Sequence, residues 1–84
     1  MTAWPTWWDW ELELNPHLLK RLIDRQFSET DLRVMLENAS GFRPNHEDGR
    51  FIIETEHDHH PWEVIVEPLL NEHVLLVLTG YPLD

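Results

Sequence analysis

His17, Arg21 and Arg25 recur every four residues, with Lys20 beside them. On a helix that spacing stacks the three on one exposed stripe. Guanidinium groups so placed can grip a phosphodiester while an imidazole moves a proton. A solvated helix face with Asp24 as counter-charge has the same spacing and no chemistry. Arg50 opens a second group, with Glu54 and Glu56 on one face of a predicted strand and His57 on the other. An arginine plus Glu or His on a sheet supplies the charge clamp and proton acceptor of in-line phosphoryl chemistry. Cross-strand pairing of Arg50 with Glu63 or Glu67 would satisfy it without any reaction.

Three further groups carry weaker signals. His57-Asp58-His59-His60, with His46 and Glu47 in the preceding loop, offers imidazoles and carboxylates suited to zinc or nickel, but in no ordered metal spacing. The expectation is adventitious binding and no metal or cofactor. Trp8 and Trp10 fit the apolar face of a strand, whereas Trp4 and Trp7 fall outside that pattern. The outlying pair could stack on bases, anchor a partner, or close the open end of a small core. Thr79 and Tyr81 flank Gly80 at the end of the last predicted strand, so both hydroxyls share a face and could meet a substrate phosphate.

Charge restricts what these groups can serve. Sixteen Asp and Glu against six Lys and Arg leave the chain at −10. That field repels polyanions at long range and argues against a duplex-DNA binder. A phosphate site must therefore be local, and residues 20–25 hold three of the six basic side chains. With 84 residues, a single domain with a thin core is expected. Its 42% hydrophobic content is enough for that core and excludes a disordered tail. Without cysteine there is neither a disulfide framework nor a cysteine-based zinc or nucleophile site. No run reaches the ~18 apolar residues of a membrane span, and the first residues do not read as a signal peptide. A soluble cytoplasmic domain without a membrane partner is the expectation.

The elements that must hold these side chains follow from periodicity. Residues 1–7 read as a loose tryptophan-rich arm. Trp8, Trp10, Leu12 and Leu14 alternate with acids, a half-buried strand. Asn15-Pro16 caps and starts a helix whose buried stripe is Leu18, Leu19, Leu22 and Ile23. Ser28 opens a second helix with Asp31 as its capping-box partner and a stripe of Leu32, Met35, Leu36 and Ala39. The two helices make a poor DNA reader, because the second offers a phosphate only Arg33. Residues 41–49 read as a polar loop. Three strands follow, from Arg50 to His57, around Trp62 to Glu67, and from His73 to Tyr81. The unbroken Val74–Leu78 run suits a central strand buried on both faces. The expected fold is α+β, of order β-α-α-β-β-β, a four-stranded antiparallel sheet with both helices on one face.

LNPHLLKRLIDRQFSETDLRVMLENA resembles the opening of small RelE-like proteins, in which a His-bearing basic helix precedes a second helix. GRFIIETEHDHHPWEVIVEP and VLLVLTGYP resemble their sheet, including its Thr-x-Tyr-Pro ending. The resemblance spans about residues 8–82 and implies the barnase–EndoU–colicin–RelE superfamily, mostly metal-independent ribonucleases and toxins. It implies cleavage of RNA, free or ribosome-bound, by attack of a ribose 2′-hydroxyl on the adjacent phosphate, and an antitoxin-like protein partner. His17, Arg21, Arg50, His57 and Tyr81 would then be the catalytic set, with Arg25, Glu54 and Thr79 contacting substrate. RelE-like toxins are usually basic and this chain is acidic. The alternative is therefore a non-catalytic module of that fold that docks a protein partner, and Arg50 tied to Glu63 or Glu67 would favour it.

Overall fold

The computed structural model describes residues 5–18, 20 and 28–83. A 3-10 turn at Thr6–Asp9 leads into β1, Glu11–Leu14. Residues 16–18 and 20 are helical and are labelled α1. Then come α2 (Glu29–Glu37), β2 (Gly41–Pro44), β3 (Phe51–His57), β4 (His60–Leu69) and β5 (Val74–Pro82). Among the described residues one sheet holds five strands in the order β1-β5-β4-β3-β2. The fold is α+β, as the alternating and helical periodicities require.

Two features of the sheet differ from the sequence expectation. It has five strands, not four, because Gly41–Pro44 pairs antiparallel with β3 instead of looping out. The segment's Gly and Pro resemble turn chemistry, but Phe42 packs against the core and its backbone completes the edge ladder. Nor is the sheet purely antiparallel, since β1 runs parallel to β5 with Glu11 opposite Val74 and Leu14 opposite Val77. Roughly sixty residues separate β1 from β5, so no tight hairpin imposes an antiparallel direction on the pair.

The short connections behave as their composition dictates. Asp58 and His59, both with left-handed φ (55° and 68°), make the two-residue turn between β3 and β4. That geometry matches the twist of the paired strands. Gly49, at φ 81°, supplies the same region before β3 without a Cβ penalty. The Ser28 side chain accepts from the Asp31 amide while the Asp31 carboxylate accepts from the Ser28 amide, the reciprocal cap expected at the start of α2. The cap's bonds to Ser28 hold the Asp31 carboxyl below the usual carboxylate range.

One face of the sheet forms the core. Ile53, Val64, Val66, Leu75 and Val77 meet Leu32, Met35 and Leu36 of α2 and Leu18 of α1. Leu36, Val64 and Val77 are buried as the periodicity predicts; Leu19, Leu22 and Ile23 lie outside the described residues. Trp7 corrects the loose-arm expectation, since it is buried and stacks near Phe42 and Phe51. It closes the open end of the core, the third of the roles its position allowed. Trp8 precedes β1 in the 3-10 turn, so the strand is shorter than its alternation suggested. β5 lies between β1 and β4, but only Leu75 and Val77 are buried, while Val74 and Leu76 on the outer face and Leu78 at the register shift are half-covered. The two-faced burial expected of Val74–Leu78 is thus not observed, because α2 and the Trp7 turn cover one side.

α2 is fastened to β3 by a specific bond. The Thr55 hydroxyl, buried on the core face, donates to the Met35 backbone carbonyl. That carbonyl belongs to the last turn of α2, whose carbonyls lack intrahelical donors.

Candidate functional site

The outer sheet face gathers the chemistry-bearing side chains. Strand register places Glu54 of β3 directly opposite Glu63 of β4, and Glu63 opposite Tyr81 of β5. Two carboxylates face to face repel. Arg43 of β2 resolves this by binding both, Glu54 through one terminal nitrogen and Glu63 through the other at 2.8 Å. Gly41 stands opposite Glu54, and a Cβ there would meet the Glu54 carboxylate at 3.2 Å. The Tyr81 hydroxyl donates to the second Glu63 oxygen at 2.8 Å. The Arg43 hydrogen bond, followed by that from Tyr81, holds the Glu63 carboxyl below the usual carboxylate range. Accepted by Glu63 and partly buried, the Tyr81 phenol is pushed above its ordinary value and stays protonated.

Arg50 forms a second cluster on the same sheet. Its Nε donates to Glu67 at 3.1 Å and a terminal nitrogen to Glu47 at 2.8 Å. This is the cross-strand arrangement, reinforced from the preceding loop. Both described arginines of the sheet are thereby engaged by two glutamates each.

The remaining predicted residues fall in different places. His17 is exposed at the start of α1, where its amide donates to the Asn15 side chain. It lines an open pocket of about 260 Å³ with Asn15, Leu18, Leu78 and Thr79. That pocket lies where β1 ends and β5 continues, so Thr79 reaches it from a part of β5 that has outrun its neighbour. His57 sits at the far end of β3, edge-on to Trp62 at 5.9 Å and opposite His60 across the turn. Arg21 and Arg25 lie outside the described residues. Glu54 and Tyr81 thus share one cluster, His17 and Thr79 share a pocket, and Arg50 precedes β3 while His57 ends it.

No family model, curated protein or solved structure matches this chain. Among the described residues no group of three or more His, Asp or Glu could hold a metal, and no helix is long and apolar enough to cross a membrane.

Two features escaped the sequence pattern. Arg43 stood in a segment read as a loop, and its role depends on two strand registers at once. A second pocket, a groove of about 230 Å³, runs between the turn into β1 and α2. Trp8, Trp10, Leu12 and Leu36 line it, with exposed Asp9, Arg33 and Glu37. The alternation of tryptophans and acids before Leu12 was its only trace in the sequence.

Proposed function

We propose that this chain is a non-catalytic binding module of RelE-like fold that docks a protein partner. The observation that carries the reading is the engagement of Arg43 and Arg50 by four glutamates. Phosphoryl transfer needs cationic donors aimed at the charge that grows on phosphate. On this sheet the guanidinium donors already face carboxylates, and a phosphate arriving there would meet Glu47, Glu54, Glu63 and Glu67. Exposed ion pairs of this kind contribute only ~0–1 kcal/mol each to stability, so their main effect is to remove free positive charge from the surface. The net charge of −10 acts in the same direction.

One observation favours a second reading, the toxin-type endoribonuclease. His17 and Thr79 line a single open pocket, and Tyr81 follows Thr79 by two residues on the same strand. There the His17 imidazole would take the 2′-hydroxyl proton as its oxygen attacks phosphorus. A 2′,3′-cyclic phosphate would form as the 5′-oxygen leaves with a proton from a second acid. The charge clamp would be Arg21 by the resemblance to RelE-like proteins alone.

Inducible expression in bacteria, with growth recorded, tests the choice alongside incubation of purified protein with single-stranded RNA. A binding module leaves growth and RNA unchanged. Growth arrest with RNA cleavage, both reduced ~10²-fold or more by His17→Ala, would establish the ribonuclease instead.

A further inference from the structure

The open side of the sheet lies at β1, which has β5 on one flank and, among the described residues, no strand on the other. The Asn15 amide donates to the Val77 carbonyl at 3.1 Å, and Leu14 stands opposite Val77. In a parallel ladder, alternate residues turn both N–H and C=O to the same neighbour. Glu11 and Glu13, in phase with Asn15, therefore bond toward β5. Leu12 and Leu14 turn their N–H and C=O outward, where an extended chain can pair with them.

The side chains around this edge select what can pair. Asp9, Glu11 and Glu13 are exposed, and none has an ion-pair partner among the described residues. Glu11 and Glu13 project on the outer face with Val74 and Leu76, their register partners. Leu12 projects on the core face, into the groove with Trp8, Trp10 and Leu36. No residue of β3, β4 or β5 lines that groove, so it lies along the margin of the sheet at β1. A strand added there would place alternate side chains opposite acids on one face and in an apolar aromatic groove on the other. A second copy of β1 would set glutamate against glutamate, which repels. The opposite edge is less receptive, because β2 ends in Pro44 and its Arg43 is already bound by Glu54 and Glu63.

We propose that the outer edge of β1, with the groove beside Leu12, captures an extended segment of a partner protein in which lysine or arginine alternates with apolar residues. This rests on the binding-module reading and names its surface and the chemistry of its partner. The lysines pair with Glu11 and Glu13, an apolar side chain enters between Trp8 and Leu36, and the main chain becomes a sixth strand.

The test uses the full chain and a labelled nine-residue peptide alternating lysine with leucine, followed by fluorescence polarisation. The comparison peptides are one of the same composition with its lysines in a block, one alternating glutamate with leucine, and the alternating lysine peptide methylated on alternate amide nitrogens. The expected result is binding of the alternating basic peptide about tenfold or more tighter than each comparison. Glu11→Lys combined with Glu13→Lys, both surface changes, should reverse the preference toward the glutamate peptide, with an unchanged melting temperature showing that the fold persists. In 15N-labelled protein the Leu12 and Leu14 amides and a tryptophan indole N–H should shift. Equal binding of the block peptide, indifference to N-methylation, or shifts confined to other strands would overturn the proposal. No binding by a chain that also leaves RNA intact would remove this surface and leave the binding-module reading standing. His17-dependent RNA cleavage would remove that reading whatever the peptide does.

Discussion

Thr55→Val should destabilise the protein even though it replaces a hydroxyl with a methyl in an apolar core. Thr55 is 8% exposed and its hydroxyl meets the Met35 carbonyl, while Met35 itself is 1% exposed. Valine keeps the shape and β-branching but leaves a buried carbonyl without a donor, at a cost of about 1–3 kcal/mol. The added apolar surface and strand preference return up to ~1 kcal/mol. From the middle of that cost, about 2 kcal/mol, the net loss is about 1–2 kcal/mol, or a fall of roughly 4–16 °C in melting temperature for a domain of this size. Thr55→Ser keeps the donor and loses one methyl, at about 0.8 kcal/mol plus any cavity term. Urea titrations followed by circular dichroism, with unchanged slope, would measure both. Valine should be no better than serine at this position. A valine variant as stable as the parent would show that the hydroxyl does not fasten α2 to the sheet.

Ile53→Ala, at a side chain with no exposure in the centre of the core, should cost about 2–5 kcal/mol in the same titration; a loss below that range would mean the core is less tightly packed than the structure has it. Tyr81 is the single tyrosine, so ultraviolet titration reads its phenol alone. Ionisation should come above the ordinary value of 10.0 and move back toward it in Glu63→Gln, whereas a midpoint at or below 10.0 in the parent would break the link to Glu63. Because the Glu63 carboxyl is depressed in the folded state, its stabilising effect holds above the unfolded value of ~4.3 and is lost as pH falls through the folded one. Acid unfolding below about pH 4.3 should accordingly be less steep in Glu63→Gln than in the parent. EDTA should leave the melting temperature unchanged, and a sharp fall would reveal a structural metal at His57–His60.

What the sequence disclosed was what neighbours along the chain decide. The Ser28–Asp31 cap and the strand around Trp62 to Glu67 are local signals, and the structure carries both. Four residues of Gly41–Pro44 are too few for a period, and their glycine and proline imitate a turn. The direction of β1 is fixed by contact with a strand far along the chain, which no local pattern encodes. For the candidate site, cross-strand pairing of Arg50 was legible because Glu67 stands on the strand that pairs beside it. Arg43 was not, since its bonds to Glu54 and Glu63 require the β2–β3 and β3–β4 registers together. Trp7 gave no periodic signal because a 3-10 turn, and not a strand, aims it into the core.

The parallel pairing of β1 with β5 also sets an order of events during folding. β3 and β4 are joined by a two-residue turn and can meet within microseconds, and β5 follows after another short turn. β1 must close a loop of roughly sixty residues before it gains a single ladder bond, an entropic cost of about 3.7 kcal/mol beyond the constant term. On a growing chain it therefore waits for the last strand to be made. Until it docks, β5 presents Leu75 and Val77 on an unpaired flank, a surface prone to association. The acids that alternate along β1 keep the waiting segment itself from pairing with other copies. Exchange of amide hydrogens should accordingly find β1 the first strand to open and β4 among the last.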